Sequence, residues 1–158
     1  MERYVKHFMT GGPISIERDA PALAALDLML EHGFRHLPVL DAQRSLIGVV
    51  SFDDLRAALP FPLSLSNPPP PEARAGMLES RVDDIMSDPI VARTDTPLAE
   101  AVRLIVEHAI GCLPVVDDEG RLVGLLSERD LLKTLMTVLW TDSLPDRRGG
   151  EMPVRQDG

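Results

Sequence analysis

Aromatic side chains are scarce: one Trp, one Tyr and four Phe make up 4% of the 158 residues. Any core built from this chain has to be mostly aliphatic. A single cysteine, Cys112, excludes an intrachain disulfide framework and a multi-cysteine zinc site. Positive charge is also short. Lys and Arg number 16 against 25 Asp and Glu, a formal net charge of −9. Non-specific nucleic-acid binding needs cations that displace counterions, so this balance argues against nucleic acid and against anionic lipid as partners. No apolar run of signal-peptide length opens the sequence. The most apolar stretch, Leu131 to Trp140, is interrupted by Lys133 and is too short to span a bilayer. The expected location is therefore the cytoplasm, with no membrane contact. Walker loops, Gly-x-Ser-x-Gly elbows and His-Glu-x-x-His pairs are missing as well. An enzyme reading has no catalytic constellation, and no metal site is expected. What remains is an ordinary globular composition, 44% hydrophobic and 26% charged.

The chain contains one unit twice. Residues 13–55 align with residues 89–131 without a gap, at an offset of 76 that places Pro38 on Pro114. The same offset pairs Pro21 with Pro97, His32 with His108, Asp41 with Asp117 and Gly48 with Gly124. It also pairs Ser51 with Ser127 and Asp54 with Asp130. Upstream of each copy, Val5 to Met9 mirrors Val82 to Met86 with one residue of slippage.

Each copy reads as strand, helix, strand, strand, helix. A short extended piece (Ile14 to Ile16; Ile90 to Ala92) precedes an Asp-x-Pro, which suits a helix start with Asp near the N-cap and Pro in the first turn. Leu23, Leu26, Met29 and Leu30 then recur at helical spacing, as do Leu98, Ala101, Val102 and Ile105. Gly33 fits a C-cap, whereas its counterpart Ala109 takes a left-handed conformation less freely. Leu37 to Leu40 and Leu46 to Val50 read as strands joined by a polar turn, and the second copy repeats the pattern. The expected class is α/β (α+β): two β-α-β-β-α repeats packed face to face around one core, as one pseudo-two-fold module. The repeats are expected at 5–58 and 81–139, with a proline-rich linker at 59–80 that need not be regular and a disordered polar tail at 145–158.

Val-x-x-φ-Met at each start, φ-Pro-Val-φ-Asp in the middle and Gly-x-φ-Ser-x-x-Asp at each end together resemble a tandem pair of CBS domains, a Bateman module. The resemblance covers roughly residues 5–139. Gly111 to Val116 and Asp130 to Thr134 add a likeness to stand-alone CBS proteins of the acetoin-utilisation type. The resemblance implies a non-catalytic regulatory module. Such modules hold adenosine-containing ligands (AMP, ADP, ATP or S-adenosylmethionine, with Mg2+ as a potential companion) in clefts between the repeats. They also pair into homodimers. With no second domain in these residues, the expected output is a separate, unidentified protein whose activity the module regulates.

Two readings of Ser51-x-x-Asp54 and Ser127-x-x-Asp130 stand side by side. Ser-x-x-Asp at a helix start makes a capping box. The same helix start offers free N–H groups to a phosphate, and the carboxylate two oxygens to a ribose. In the family the Asp typically holds the ribose. Gly48 and Gly124 would let backbone approach closely. The resemblance further implies that each cleft draws on both repeats. One groups Ile14, Arg35 and His36 with Ser127 and Asp130. The other groups Ile90, Gly111 and Cys112 with Ser51 and Asp54. Ile14 and Ile90 would pack on the adenine. Arg35 suits a phosphate, so the first cleft is expected to prefer a phosphorylated ligand; its bland alternative is a solvated surface residue. The second cleft lacks a local cation and suits a nucleoside-like ligand or none. Cys112 reads as a buried small apolar residue, and His32 and His108 as helix-end residues. Leu131, Leu132, Leu135, Met136 and Leu139 form a stripe expected to cover the core in part, with Leu139 and Trp140 reaching toward a dimer mate or packing intramolecularly. The competing function is a structural dimerisation scaffold in which both Ser/Asp pairs are only caps.

Overall fold

The computed structural model describes residues 2–59 and 61–142. Pro60 and the tail expected at 145–158 lie outside the described residues. A 3-10 turn at Val5–His7 opens the chain. It is followed by β1 (Thr10–Gly11), β2 (Ile16–Glu17), α1 (Ala22–His32), β3 (His36–Leu40), β4 (Leu46–Ser51) and α2 (Phe52–Ala58). Then come α3 (Pro71–Glu79), α4 (Val82–Ile85), β5 (Ala92–Arg93), α5 (Leu98–Glu107), β6 (Cys112–Val116), β7 (Leu122–Ser127) and α6 (Glu128–Asp142). The two repeats are mixed α/β units, as the sequence pattern requires.

In each repeat a hairpin carries a short parallel strand. β3 and β4 pair antiparallel with Pro38 opposite Val49, and β6 and β7 pair likewise with Pro114 opposite Leu125. Proline in a middle strand is tolerated for a local reason. β2 pairs only with Val39 and Leu40, and β5 only with Val115 and Val116. Each proline thus precedes the stretch that the parallel strand joins, where its missing N–H disrupts no ladder.

The sequence repeat and the packing unit do not coincide. The lead-in of each repeat crosses to the other. β1 pairs with β7 (Thr10 with Leu125, Gly11 with Gly124), and Ser87 exchanges backbone hydrogen bonds of 2.9 and 3.0 Å with Val49. Val5 is buried among Ala101, Leu113 and Val115 of the second repeat, whereas Val82 is buried among Leu26, Leu37 and Leu55 of the first. The expected single core is therefore two aliphatic clusters, each completed by the other repeat's lead-in. Exchanging these segments ties the halves together with backbone pairing as well as apolar burial.

The crossings also explain where the helices start. Each Asp-x-Pro does mark a helix start, but Pro21 and Pro97 are the N-caps of α1 and α5 and not first-turn residues, and Asp19 and Asp95, close by, provide no side-chain cap. Backbone oxygens replace them: Ala22 donates to the Ser80 carbonyl and Leu98 to the Arg3 carbonyl, both at 2.7 Å. The first strands accordingly begin later than expected, at Ile16 and Ala92. Gly48 and Gly124 do admit a close neighbour, but it is the lead-in. A Cβ on Gly48 would fall 2.5 Å from Met86 Sδ, and one on Gly124 3.1 Å from Met9 Cγ.

Three further differences concern the helices. The proline-rich linker is partly regular: α3 starts at Pro71, with Pro70 as N-cap, and buries Ala73 and Met77. Proline suits the first helical turn because the N–H it lacks has no partner there. Gly33 ends α1 in the left-handed region at φ 70°, and Ala109 also enters that region, at φ 51°. Finally, α6 buries none of its residues fully. Leu131 packs against the second cluster, while Leu132, Leu135, Met136, Leu139 and Trp140 are exposed.

Candidate functional site

Two clefts lie where the repeats meet. Each forms beside the junction of a hairpin with its second helix, because the hairpin's last strand runs straight into that helix. Ser51 ends β4 and caps α2: its Oγ accepts from Asp54 N at 3.0 Å, and Asp54 Oδ2 accepts from Ser51 N at 2.9 Å. Ser127 and Asp130 repeat this at the start of α6, at 3.2 and 2.9 Å. Ser127 Oγ additionally donates to Asp130 Oδ2 at 2.8 Å. Both capping boxes are therefore real. They are also compatible with a second role, since the caps engage Oδ2 only and all four residues are half-buried, not sealed.

The larger cleft, about 500 Å3, brings together Ile14, Arg35 and His36 from one repeat with Ser127 and Asp130 from the other. The smaller, about 310 Å3, brings together Ser51 and Asp54 with Ile90, Gly111 and Cys112. Volumes of this size suit small ligands. The backbone links each strand start to the helix start beside it. Phe52 donates to the Arg35 carbonyl at 2.8 Å, and Glu128 to the Gly111 carbonyl at 3.0 Å.

The clefts differ in charge. Arg35, Arg129 and Lys133 line the larger one. Arg129 and Lys133 lie one turn apart on α6, flanking Asp130, so helical spacing from the motif could have identified them in the sequence. Arg35 is half exposed yet held in place: its guanidinium lies 5.0 Å from the Phe52 ring centre and 3.5 Å from Asp53. Thr10 of the crossing lead-in reaches Asp130 Oδ1 at 3.5 Å. That contact was invisible in the sequence because the crossing was. The smaller cleft is lined by Asp53, Asp54 and Asp88, with no Lys or Arg among its described residues.

His36 and Gly111 line both clefts. Burial holds the His36 imidazole below the usual histidine range, with Arg35 adding to that effect and Glu128, Asp54 and Asp53 opposing it. Burial, with the Glu128 charge added, pushes the Cys112 thiol up to about 12, so it stays protonated near neutrality. It is a buried apolar residue at the cleft floor, not an activated nucleophile. His32 ends α1 and stacks on Phe34, another residue of the larger cleft, at 5.3 Å. No helix among the described residues is long and apolar enough to cross a membrane.

Comparison with known proteins agrees with this architecture. A CBS domain-containing protein of Dictyostelium discoideum is 32% identical over 144 residues, covering 88% of this chain and 95% of that protein. The crystal structure of an acetoin utilization protein (AcuB) from Vibrio cholerae superposes with a TM-score of 0.74 at 27% identity, covering 91% of this chain and 99% of the other. CBSX2, a CBS-pair protein of Arabidopsis thaliana, superposes in its complex with AMP with a TM-score of 0.69 at 32% identity, covering 86% and 98%. The CBS-domain model matches residues 5–60 and again 82–137, so the chain belongs to the CBS-domain family and carries a tandem pair.

Proposed function

We propose that this chain is a non-catalytic regulatory module that senses an adenosine-containing ligand and signals to a partner protein in the cytoplasm. The observation that carries the reading is the meeting, in each cleft, of one repeat's Ser-x-x-Asp with the other repeat's strand start. A relative 32% identical over most of this chain is known in complex with AMP. Asp130 would accept the ribose hydroxyls in the larger cleft and Asp54 those in the smaller. Ile14 and Ile90 would face the adenine. Arg35, Arg129 and Lys133 would meet phosphate, so the larger cleft takes AMP, ADP or ATP, with Mg2+ accompanying a polyphosphate. The acidic smaller cleft takes a nucleoside-like ligand or S-adenosylmethionine, whose sulfonium carries the opposite charge. A ligand touching both repeats favours whichever relative arrangement it binds better, and the partner reads that arrangement.

A homodimer belongs to the same proposal. Val102, Val106, Leu132, Leu135, Met136 and Trp140 leave an apolar face on α5 and α6 of the kind that interfaces cover. The capping boxes and this face also support a second reading, a dimerisation scaffold without tight ligand binding.

A thermal-shift panel with AMP, ADP, ATP and S-adenosylmethionine separates the two. A ligand present at a hundredfold its Kd stabilises the fold by about 2.7 kcal/mol, which raises the Tm by roughly 5–10 °C for a domain of this size. The expected result is a saturable rise with a phosphorylated ligand that Asp130→Ala removes, while Asp130→Ala alone costs roughly 0.5–2 kcal/mol as a lost cap. No rise at millimolar ligand rejects the sensor and leaves the scaffold.

A further inference from the structure

The two clefts share a wall, and one side chain makes it. His36 and Gly111 are the residues common to both linings, and Gly111 has no side chain to offer. The imidazole is backed directly against Gly111: a Cβ at 111 would fall 2.5 Å from His36 Nε2. The ring therefore occupies space that a side chain at 111 would need. It cannot withdraw toward Gly111, because backbone is already there.

The main chain on either side of this wall is committed as well. Arg35 lends its side chain to the larger cleft, while its carbonyl holds the start of α2, which carries the smaller cleft's Ser51 and Asp54. Gly111 lines the smaller cleft too, and its carbonyl holds the start of α6, which carries Ser127 and Asp130 of the larger. His36 itself pairs with Ser51 across the β3–β4 hairpin, and Cys112 with Ser127 across β6–β7. A displacement at residues 35–36 is thus felt in both clefts.

We propose that His36 is a movable partition that makes the two clefts antagonistic, so that filling one weakens binding in the other. The inference rests on the reading of both clefts as ligand sites and adds their mutual regulation. A ring pressed out of one cleft has only the other to enter. Linkage makes the effect reciprocal: the factor by which the larger cleft's occupant weakens the smaller must equal the reverse factor.

The test uses the full chain in calorimetric titrations, with AMP as probe of the larger cleft and S-adenosylmethionine as probe of the smaller. Backbone amide signals of Asp54 and Asp130 report each cleft separately. Asp54→Ala and Asp130→Ala provide the affinity of each cleft alone. With AMP saturating the larger cleft of the unmodified chain, S-adenosylmethionine should bind the smaller about tenfold more weakly than it does in Asp130→Ala, and the reverse order against Asp54→Ala should give the same factor. His36→Ala should bring the two values within about twofold, and His36→Asn serves if the smaller side chain impairs folding. A cleft that accepts its probe only once its neighbour is disabled represents the same antagonism at its limit. Clefts that fill independently in the unmodified chain overturn the proposal and leave the ligand reading intact. So does antagonism that persists unchanged in folded His36 variants. If either amide stays silent to its probe at millimolar concentration even with the other cleft disabled, the reading of both clefts as ligand sites fails and the partition with it.

Discussion

Leu26 is fully buried, yet Val102, which occupies the same place 76 residues later, is 36% exposed. Leu59 is 8% exposed and its counterpart Leu135 is 50% exposed. The repeats share a pattern and a fold but not a covering. In the first repeat the linker returns over the helices: α3 buries Ala73 and Met77 there, Asp27 of α1 meets Arg74 at 3.7 Å, and Leu63 and Leu65 pack on the same cluster. In the second, no described segment lies over the equivalent face of α5 and α6. Two similar sequences thus reach one fold with different outer surfaces, and the difference originates in the chain that follows the repeat. The charge of the clefts diverges in the same way, because Arg35, Arg129 and Lys133 have no basic counterparts around the smaller cleft.

The widest separation between the repeats should appear when covered and bare faces are truncated alike. Met77 is fully buried and Met136 is 68% exposed. Met77→Ala should cost about 2–5 kcal/mol in urea unfolding, as for any buried methionine lost from a packed core. Met136→Ala should stay within about 0.5 kcal/mol at low protein concentration. A Met136→Ala loss that grows with protein concentration would mean that a second copy covers this face, which sharpens the comparison into one of intrachain against interchain cover. Equal losses at every concentration would break it.

The crossing lead-ins give a smaller contrast. An added methyl on Gly48 meets Met86 Sδ at 2.5 Å and the Ser87 carbonyl oxygen at 3.1 Å, and that carbonyl accepts from Val49. On Gly124 it meets the Met9 side chain, whose thioether can swing aside. Gly48→Ala should therefore cost roughly 1–3 kcal/mol and Gly124→Ala about 1 kcal/mol or less. Denaturant midpoints of the two variants measured side by side decide it. Equal losses would show that backbone obstruction at Ser87 is not the difference.

How much of this was legible beforehand follows from range of interaction. The hairpins, their helices and the Ser/Asp capping boxes were readable because alternation, helical spacing and a cap are local rules. Ile14, Arg35 and His36 could be grouped with Ser127 and Asp130 only through family resemblance, since no local rule links residues that far apart. Asp19 and Asp95 lie near the helix starts as expected, but the hydrogen bonds that begin those helices go to the carbonyls of Ser80 and Arg3, which arrive from the opposite lead-in. Thr10 entered the larger cleft by the same route. The short lead-ins carry too little periodicity to announce that they cross. In the linker, four consecutive prolines asked only for a stiff connection that need not be regular, yet Pro70 and Pro71 open α3.

The smallest contrast sits at the ends of α1 and α5. Gly33 and Ala109 occupy one position in the repeat and both enter the left-handed region, at φ 70° and 51°. Glycine does so freely, whereas a Cβ is crowded there. Ala109 stays because its surroundings require it: Ile110 donates to the Ile105 carbonyl at 3.1 Å, closing the last turn so that the chain can enter β6. Nothing lies within 4 Å of a Cβ built on Gly33, so Gly33→Ala changes conformational preference without a clash. The exchange should work in both directions. Ala109→Gly should raise stability by roughly 0.5–1 kcal/mol and Gly33→Ala should lower it by a similar amount. Thermal unfolding of the double exchange should then lie close to that of the unmodified chain, because the sites are in different repeats and their effects add. An Ala109→Gly variant no more stable than the unmodified chain would mean that the added freedom of the unfolded state offsets the relief, and that the repeats end their first helices at equal cost despite the different residue.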